Sequence, residues 1–338
     1  MSTFLDLDLP VIAAPMAGGA GTPALVRAAA EAGGFGFLAA GYKQPQVLAD
    51  ELAAMKASGV PFGVNLFAPN PVPVDLAAFR RYAEVLAPEA ERLGVRLDST
   101  VAVEDDDHWH DKLDLLRANP VPVVSLTFGP ASPADLAALR RSGALVVQSV
   151  TSVEEAKAAV GVDALAVQAA AAGGHSATFT PARPLATTPI ADLVTAVRSA
   201  TGLPVIAAGG LATAEDVAAV IRAGADAAMV GTVLLRSDEA GTSATHKAAL
   251  ADPARTETVL THAFTGRPAR ALRSTFTDQY SEVAPYGYPA LHHLTSGLRK
   301  AAAAAGDPER LHLWAGTGFR HATEEPAAAI LTRLAGRL

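Results

Sequence analysis

The residues best suited to chemistry lie in 164–180, which reads ALAVQAAAAGGHSATFT. The segment opens as an apolar run of strand length, too short for a helix, and ends on a polar residue, Gln168. Small residues follow, then Gly173, Gly174 and His175. Two successive glycines leave no side chain between strand and imidazole, so a flat ligand could lie against the backbone. His175 would then present a group that titrates near neutrality to whatever sits above that ligand. The same residues also fit a plainer account, a loop histidine bonded to nearby backbone with the glycines serving a turn.

The elements that must position this stretch are legible as eight apolar runs, at 11–16, 35–40, 61–67, 121–128, 144–149, 164–167, 204–208 and 227–230. Most are separated by one helical segment; Thr22 and Pro23 supply a cap and a first-turn proline for the first of these. Such alternation predicts an α/β fold, a (β/α)8 TIM barrel with a C-terminal, mostly helical appendage. An open, doubly wound sheet is the competing arrangement, but MAGGAGT after the first strand lacks the G-x-G-x-x-G spacing. The expected organisation is a barrel over 1–233, with an excursion at 69–118 between strands three and four. A helical or lid segment over 234–338, thin in apolar residues of its own, would pack on the barrel.

Composition narrows the function. Half of the 338 residues are hydrophobic, ample for a large core, and a net charge of −7 offers no basic field for nucleic acid. Without cysteine there is no thiolate nucleophile, disulfide framework or thiolate metal site. MSTFLDLDLP carries two early acids and no basic n-region, unlike a signal peptide, and no uninterrupted apolar run approaches membrane-spanning length. The expectation is a soluble, cytoplasmic protein with a small-molecule partner, neither nucleic acid nor membrane; the oligomeric state is left open.

Barrels of this kind carry their active sites at the C-terminal ends of the strands, with phosphates often bound after strands seven and eight. Gly209–Gly210 and Gly231–Thr232 stand at those two places. Their backbone N–H groups could converge on an anion, and Thr232 adds a hydroxyl donor. Met16, Asn65, Gln168 and His175 share the same rim. Asn and Gln offer donors and acceptors without charge, which suits an uncharged heterocycle. Each has an ordinary role as well: Asn65 in a strand-end turn, Gln168 satisfying backbone, Met16 filling core. A phosphate anchor beside a flat, polar-edged slot implies flavin mononucleotide (FMN).

Other candidates weigh less. His108 and His110, beside Asp105, Asp106, Asp107 and Asp111, point to different helix faces and read as a solvated surface, so no metal site is expected. Lys43 alone gives little support to Schiff-base chemistry, and no Ser-His-acid set is evident. Tyr280, Tyr286 and Tyr288, near His292 and His293, could lid the flavin and shape the substrate pocket, or simply pack a loop.

The segments APMAGG, GVNLF, VQ-x4-GGH, IAAGGLATAEDV, GADAAMVGT and LWAG occur in this order along nearly the whole chain. Together they resemble the nitronate monooxygenase (2-nitropropane dioxygenase) family of FMN-dependent barrels. The wider flavoprotein group also holds FMN-dependent enoyl-thioester reductases and NADH:quinone reductases. The resemblance implies Met16 beside the isoalloxazine, Asn65 and Gln168 bonding the cofactor, and Gly173 and Gly174 as the loop against it. Gly209, Gly210, Met229, Val230, Gly231 and Thr232 would hold the phosphate end, and His175 would be the catalytic base. Departures from the family pattern fall at Ala171, often acidic, at Ser176–Ala177, often Arg-Gly, and at Met229, often Gln. The first two bear on substrate preference; Met229 would contribute main chain. The implied activity is oxidation of nitronates or nitroalkanes by oxygen to a carbonyl compound and nitrite. The alternatives are an NAD(P)H-dependent FMN reductase of quinones or enoyl thioesters, and a non-catalytic barrel that binds flavin or a phosphate ligand.

Overall fold

Strand alternation builds two cores at once, one inside a closed sheet and one around it. The computed structural model describes residues 5–338. Strands β1 (Val11–Ala13), β2 (Phe35–Ala39), β3 (Gly63–Phe67), β4 (Val123–Thr127), β5 (Leu145–Val150) and β6 (Ala164–Gln168) pair in parallel in that order. The two-residue β7 (Gly174–His175) stands outside this sheet. β8 (Val205–Ala208) and β9 (Ala227–Val230) complete it, and β9 closes on β1 with Ile12 opposite Met229. The expected eight-stranded barrel is therefore the fold.

Side chains of period two divide between the cores. Ile12, Phe35, Phe37, Val123, Val147, Ile206 and Met229 fill the barrel interior. Their neighbours Val11, Leu38, Val64, Val146 and Leu165 face outward to the helices. Gly63 is small because a Cβ there would stand 2.3 Å from the Phe37 ring, which occupies that part of the interior.

The outer ring consists of α1 (Pro23–Glu31), α2 (Pro45–Ser58), α5 (Trp109–Ala118), α6 (Pro133–Arg141), α7 (Val153–Ala158), α8 (Ile190–Thr201) and α9 (Ala214–Arg222). The excursion contributes α3 (Leu76–Val85) and α4 (Ala87–Arg92) ahead of α5. Local chemistry sets where these helices begin: Thr22 Oγ1 accepts from Leu25 N, and Thr213 and Asp216 form a reciprocal capping box. An eighth helix is missing after β9. Its place is taken by α13 (Ala327–Leu334), which lies against α1, α9 and β1 and buries Ile330, Leu331 and Leu334 in the same core as Leu25 and Val26.

Between β9 and α13 run α10 (Ala244–Ala251), β10 (Thr258–Thr261), β11 (Ala269–Leu272), α11 (Thr275–Tyr280) and α12 (Ala290–Ala304). This tail is not thin in apolar contacts. Phe264, Phe276, Leu291, Leu294 and Leu298 share a second core with Phe79, Tyr82 and Leu86 of the excursion. Two segments remote in sequence thus bury each other's apolar faces above the barrel. No helix among the described residues is long and apolar enough to cross a membrane.

Because Leu331 is fully buried between α13 and the barrel, Leu331→Ala is expected to cost about 2–5 kcal/mol of stability. Urea unfolding checks this; an unchanged midpoint would place α13 outside the barrel's cooperative unit.

Candidate functional site

The chain leaves β6 at Gln168, turns through four alanines, and becomes β7, which carries His175. β7 is the edge of a three-stranded antiparallel sheet whose other members, β10 and β11, come from the tail. Ala269 pairs with His175 and Arg270 with Gly174. Gln168 ties the same segment from the barrel side. Its Nε2 donates to His175 O (3.3 Å), and its Oε1 accepts from Ala177 N (2.8 Å). The glycines answer to packing: a Cβ on Gly173 would lie 2.5 Å from Gly316 N, and Gly174 has φ +73°. The backbone that approaches Gly173 most closely is the tail's own.

His175 Nε2 lies 2.9 Å from Thr265 Oγ1, whose hydroxyl donates to Arg267 O (3.3 Å). With the hydroxyl proton so directed, the matching imidazole tautomer carries its proton on Nε2 and leaves Nδ1 basic. Aromatic rings surround the imidazole, at centroid distances of 5.3 Å for Trp314, 5.8 Å for Phe128, 6.1 Å for Tyr288 and 6.5 Å for Tyr42. Burial in this enclosure pushes the His175 pKa down to about 3, and the positive charges of Arg267 and Arg299 add to the shift.

Both guanidiniums are buried behind the aromatic wall. Arg267 donates to the carbonyls of Asn70, Phe128 and Thr178, with its Cζ 4.0 Å over the Phe128 ring. Arg299 donates to His292 O (2.8 Å) and Thr295 Oγ1 (3.2 Å). His292 in turn stacks on Tyr42 at 4.1 Å. Burial lowers each guanidinium to about 10, so both remain charged at neutral pH. The Glu155 carboxylate acts on Arg267 from the far side of Thr178, to whose hydroxyl it is bonded. The site side faces positive potential at low dielectric.

Of these groups, His175, Tyr42, Phe128 and Trp314 border a cavity of about 370 Å³ at the strand ends, within the range of small-molecule and cofactor sites. Met16, Asn65, Gln168, Gly173, Gly174, His175, Gly209, Gly210, Met229, Val230, Gly231 and Thr232 all line it. At one end, Gly209 and Gly210 have φ of +99° and +81° beside Gly231 and Thr232. Among the described residues, the amides of these four make no hydrogen bond to other backbone. Thr232 Oγ1 accepts from Gly316 N (2.9 Å), which leaves its O–H to donate. A set of free amides and one hydroxyl fits a phosphate. Elsewhere Asn65 Nδ2 donates to Ser125 Oγ and Thr127 Oγ1, both at 2.9 Å. The Met229 side chain packs in the barrel interior.

The remaining candidates separate from this site. Lys43 pairs with Glu51 (2.6 Å), His293 with Asp105 (2.7 Å) and His108 with Asp111 (3.6 Å). No cluster of metal-ligating side chains occurs among the described residues. Of the three tyrosines, Tyr288 reaches His175, whereas Tyr280 bonds Glu89 in the second core and Tyr286 stacks on His262. Sequence reasoning missed Tyr42, Phe128, Thr265, Arg267, Arg299 and Trp314. Phe128 directly follows β4 and Tyr42 stands three residues after β2, and both take positive φ, 87° and 65°; a search of the rim for aromatic as well as polar residues finds them. The other four belong to the tail, and nothing local marks their position.

A closed (β/α)8 barrel with free glycine amides and a half-buried, neutral imidazole in one cavity fits the class of cofactor-dependent barrel enzymes. A family model for nitronate monooxygenase matches residues 1–335. A probable nitronate monooxygenase of Staphylococcus aureus (strain Newman) is 32% identical over 345 residues, covering 100% of this chain and 96% of the relative. The crystal structure of nitroalkane oxidase from Streptomyces ansochromogenes superposes with a TM-score of 0.92 at 44% identity, covering 98% of this chain and 96% of that one. FabK from Thermotoga maritima is similar at a TM-score of 0.74 and 25% identity, covering 98% and 93%. The chain belongs to the nitronate monooxygenase family, oxidoreductases that generally use FMN.

Two outcomes follow from this geometry. Gly173→Ala forces the Ala315–Gly316 backbone away, and is expected to cost about 1–3 kcal/mol and to loosen Trp314, read as a change in tryptophan fluorescence. Acid should also destabilise the fold. The His175 pKa is lower in the folded chain than its ordinary value of about 6.5. The unfolded state therefore binds more protons below that pH, and stability is complete above it and lost as pH falls towards 3. His246, pushed down to about 4 by burial, acts in the same direction. Thermal unfolding between pH 7 and 4.5 should show a smaller acid-side slope in His175→Asn than in the parent.

Proposed function

We propose that this protein oxidises nitronates, and nitroalkanes by way of their nitronates, with oxygen as acceptor, yielding a carbonyl compound and nitrite. The observation that carries the reading is the neutral imidazole of His175, half-buried in the cavity wall and held by Thr265 in the same cavity as the glycine amides. Gly209, Gly210, Gly231 and Thr232 would hold the phosphate of FMN, with Met229 and Val230 leading into that turn. Asn65 and Gln168 would meet its polar edge, while Met16, Gly173 and Gly174 would flank the ring. FMN, when bound, supplies the redox chemistry.

The protein's part is acid–base and electrostatic. His175 Nδ1 removes the α-proton of a neutral nitroalkane, whereas a pre-formed nitronate needs no base. Burial keeps the imidazole unprotonated and therefore competent as a base across the neutral range. A base so reluctant to hold a proton is offset by the anion formed beside it, and by Arg267 and Arg299, which favour that anion through the wall of rings. Phe128, Tyr288 and Trp314 exclude water, which strengthens both effects.

His175→Asn is expected to lower kcat/KM for a neutral nitroalkane by about 10²–10⁴-fold. Turnover of the pre-formed nitronate and binding of FMN should persist. Nitrite release and flavin absorbance are the measurements, and undiminished nitroalkane turnover would remove His175 from the role of base.

A further inference from the structure

Beyond the strand ends the cavity continues into a recess between the β1 turn and the tail, lined by Leu235, Thr242, His246, Leu311 and His312. Its polar atoms are orphaned. Thr242 Oγ1, His246 Nε2 and His312 Nδ1 are buried and have no hydrogen-bond partner. Buried polar groups in folded proteins are nearly always paired, so orphans such as Thr242 Oγ1 and His246 Nε2 lining one cavity point to a ligand group that completes them.

The chemistry of that group is readable. Burial lowers the His246 pKa to about 4, so the ring is neutral at pH 7, and in its Nδ1–H tautomer the orphaned Nε2 is an acceptor. Thr242 can both donate and accept. A ligand hydroxyl satisfies both, donating to His246 Nε2 and accepting from Thr242 O–H. A methyl group in its place would leave both unmet, and a carboxylate would bring no proton for His246 Nε2. Trp314 borders both ends of the cavity: its ring centroid lies 5.3 Å from that of His175 and 5.3 Å from that of His312. Leu235 and Leu311 give apolar walls along the way.

We propose that this recess binds the far end of the substrate, and that the preferred substrates are nitro compounds bearing a hydroxyl at the end of an apolar chain. The proposal rests on the nitronate-oxidising reading of the cavity and adds a specificity to it. Thr242 and His246 act as specificity residues, remote from the proton transfer at His175.

The test is an anaerobic calorimetric titration of the FMN-loaded protein with 5-nitropentan-1-ol and with 1-nitrohexane, its methyl isostere. The hydroxy compound is expected to bind at least about tenfold more tightly. That ratio should fall towards one in Thr242→Val, a near-isosteric change, and in His246→Phe. Equal binding of the two compounds by the parent overturns the proposal. So does an FMN affinity that drops in Thr242→Val, because the recess would then belong to the cofactor. Turnover of nitroethane under air is measured separately. Its absence would count against the oxidase reading, while the binding ratio still decides the recess.

Discussion

The position of His175 depends on a strand pairing made outside the barrel. Two residues of β7 hydrogen-bond to β11, a strand that arrives almost a hundred residues later in the chain. A barrel loop alone would leave the imidazole to find its own orientation. Here backbone pairing fixes the main chain, Thr265 fixes the ring, and Gln168 links both to the end of β6. Pre-organisation of this kind is what acid–base chemistry needs, since a small misplacement of the base is costly. The Ala315–Gly316 backbone laid on Gly173 adds a steric lock to the same segment.

The barrel was legible because each strand is a short apolar run bounded by glycine, proline or polar residues, and because the helix starts carry their caps. The rim of the site was legible for a related reason: a strand-end rule converts position in sequence into position in space, and it brought Asn65, Gln168, Gly209 and Gly231 to one cavity. It fails where space is set by long-range packing. β7 is two residues long, and the Ala269–Leu272 strand, at four, is too short for its alternation to stand out, so neither has a clear local signature. Arg267 and Arg299 carry no local mark of their burial, yet one is fully buried and the other nearly so. The tail's apolar residues were too dispersed to suggest a core until the excursion supplied the other half.

The two guanidiniums show how the site's electrostatics are built. Burying positive charge in an apolar enclosure is costly unless many acceptors surround it. Arg267 meets this with three backbone carbonyls and an aromatic face, and Arg299 with a carbonyl, an imidazole and a hydroxyl. Dipoles stabilise the cations without cancelling their charge, as a directly paired carboxylate would. The field therefore remains available on the cavity side. Arg267 also joins four parts of the chain, since its acceptors belong to the excursion, the turn after β4 and the segment after β7, while it belongs to the tail. The charge and the architecture of the wall are set by one side chain.

The placement of α13 has a consequence for the order of folding. The helix that completes the ring follows β9 only after the whole intervening tail, and it bridges the first and the penultimate ring helices. Until it docks, the apolar faces that α1 and α9 turn towards it stay uncovered. Closing the ring is thus a long-range event, slow to form, and every residue inserted between β9 and α13 enlarges the loop that must be closed.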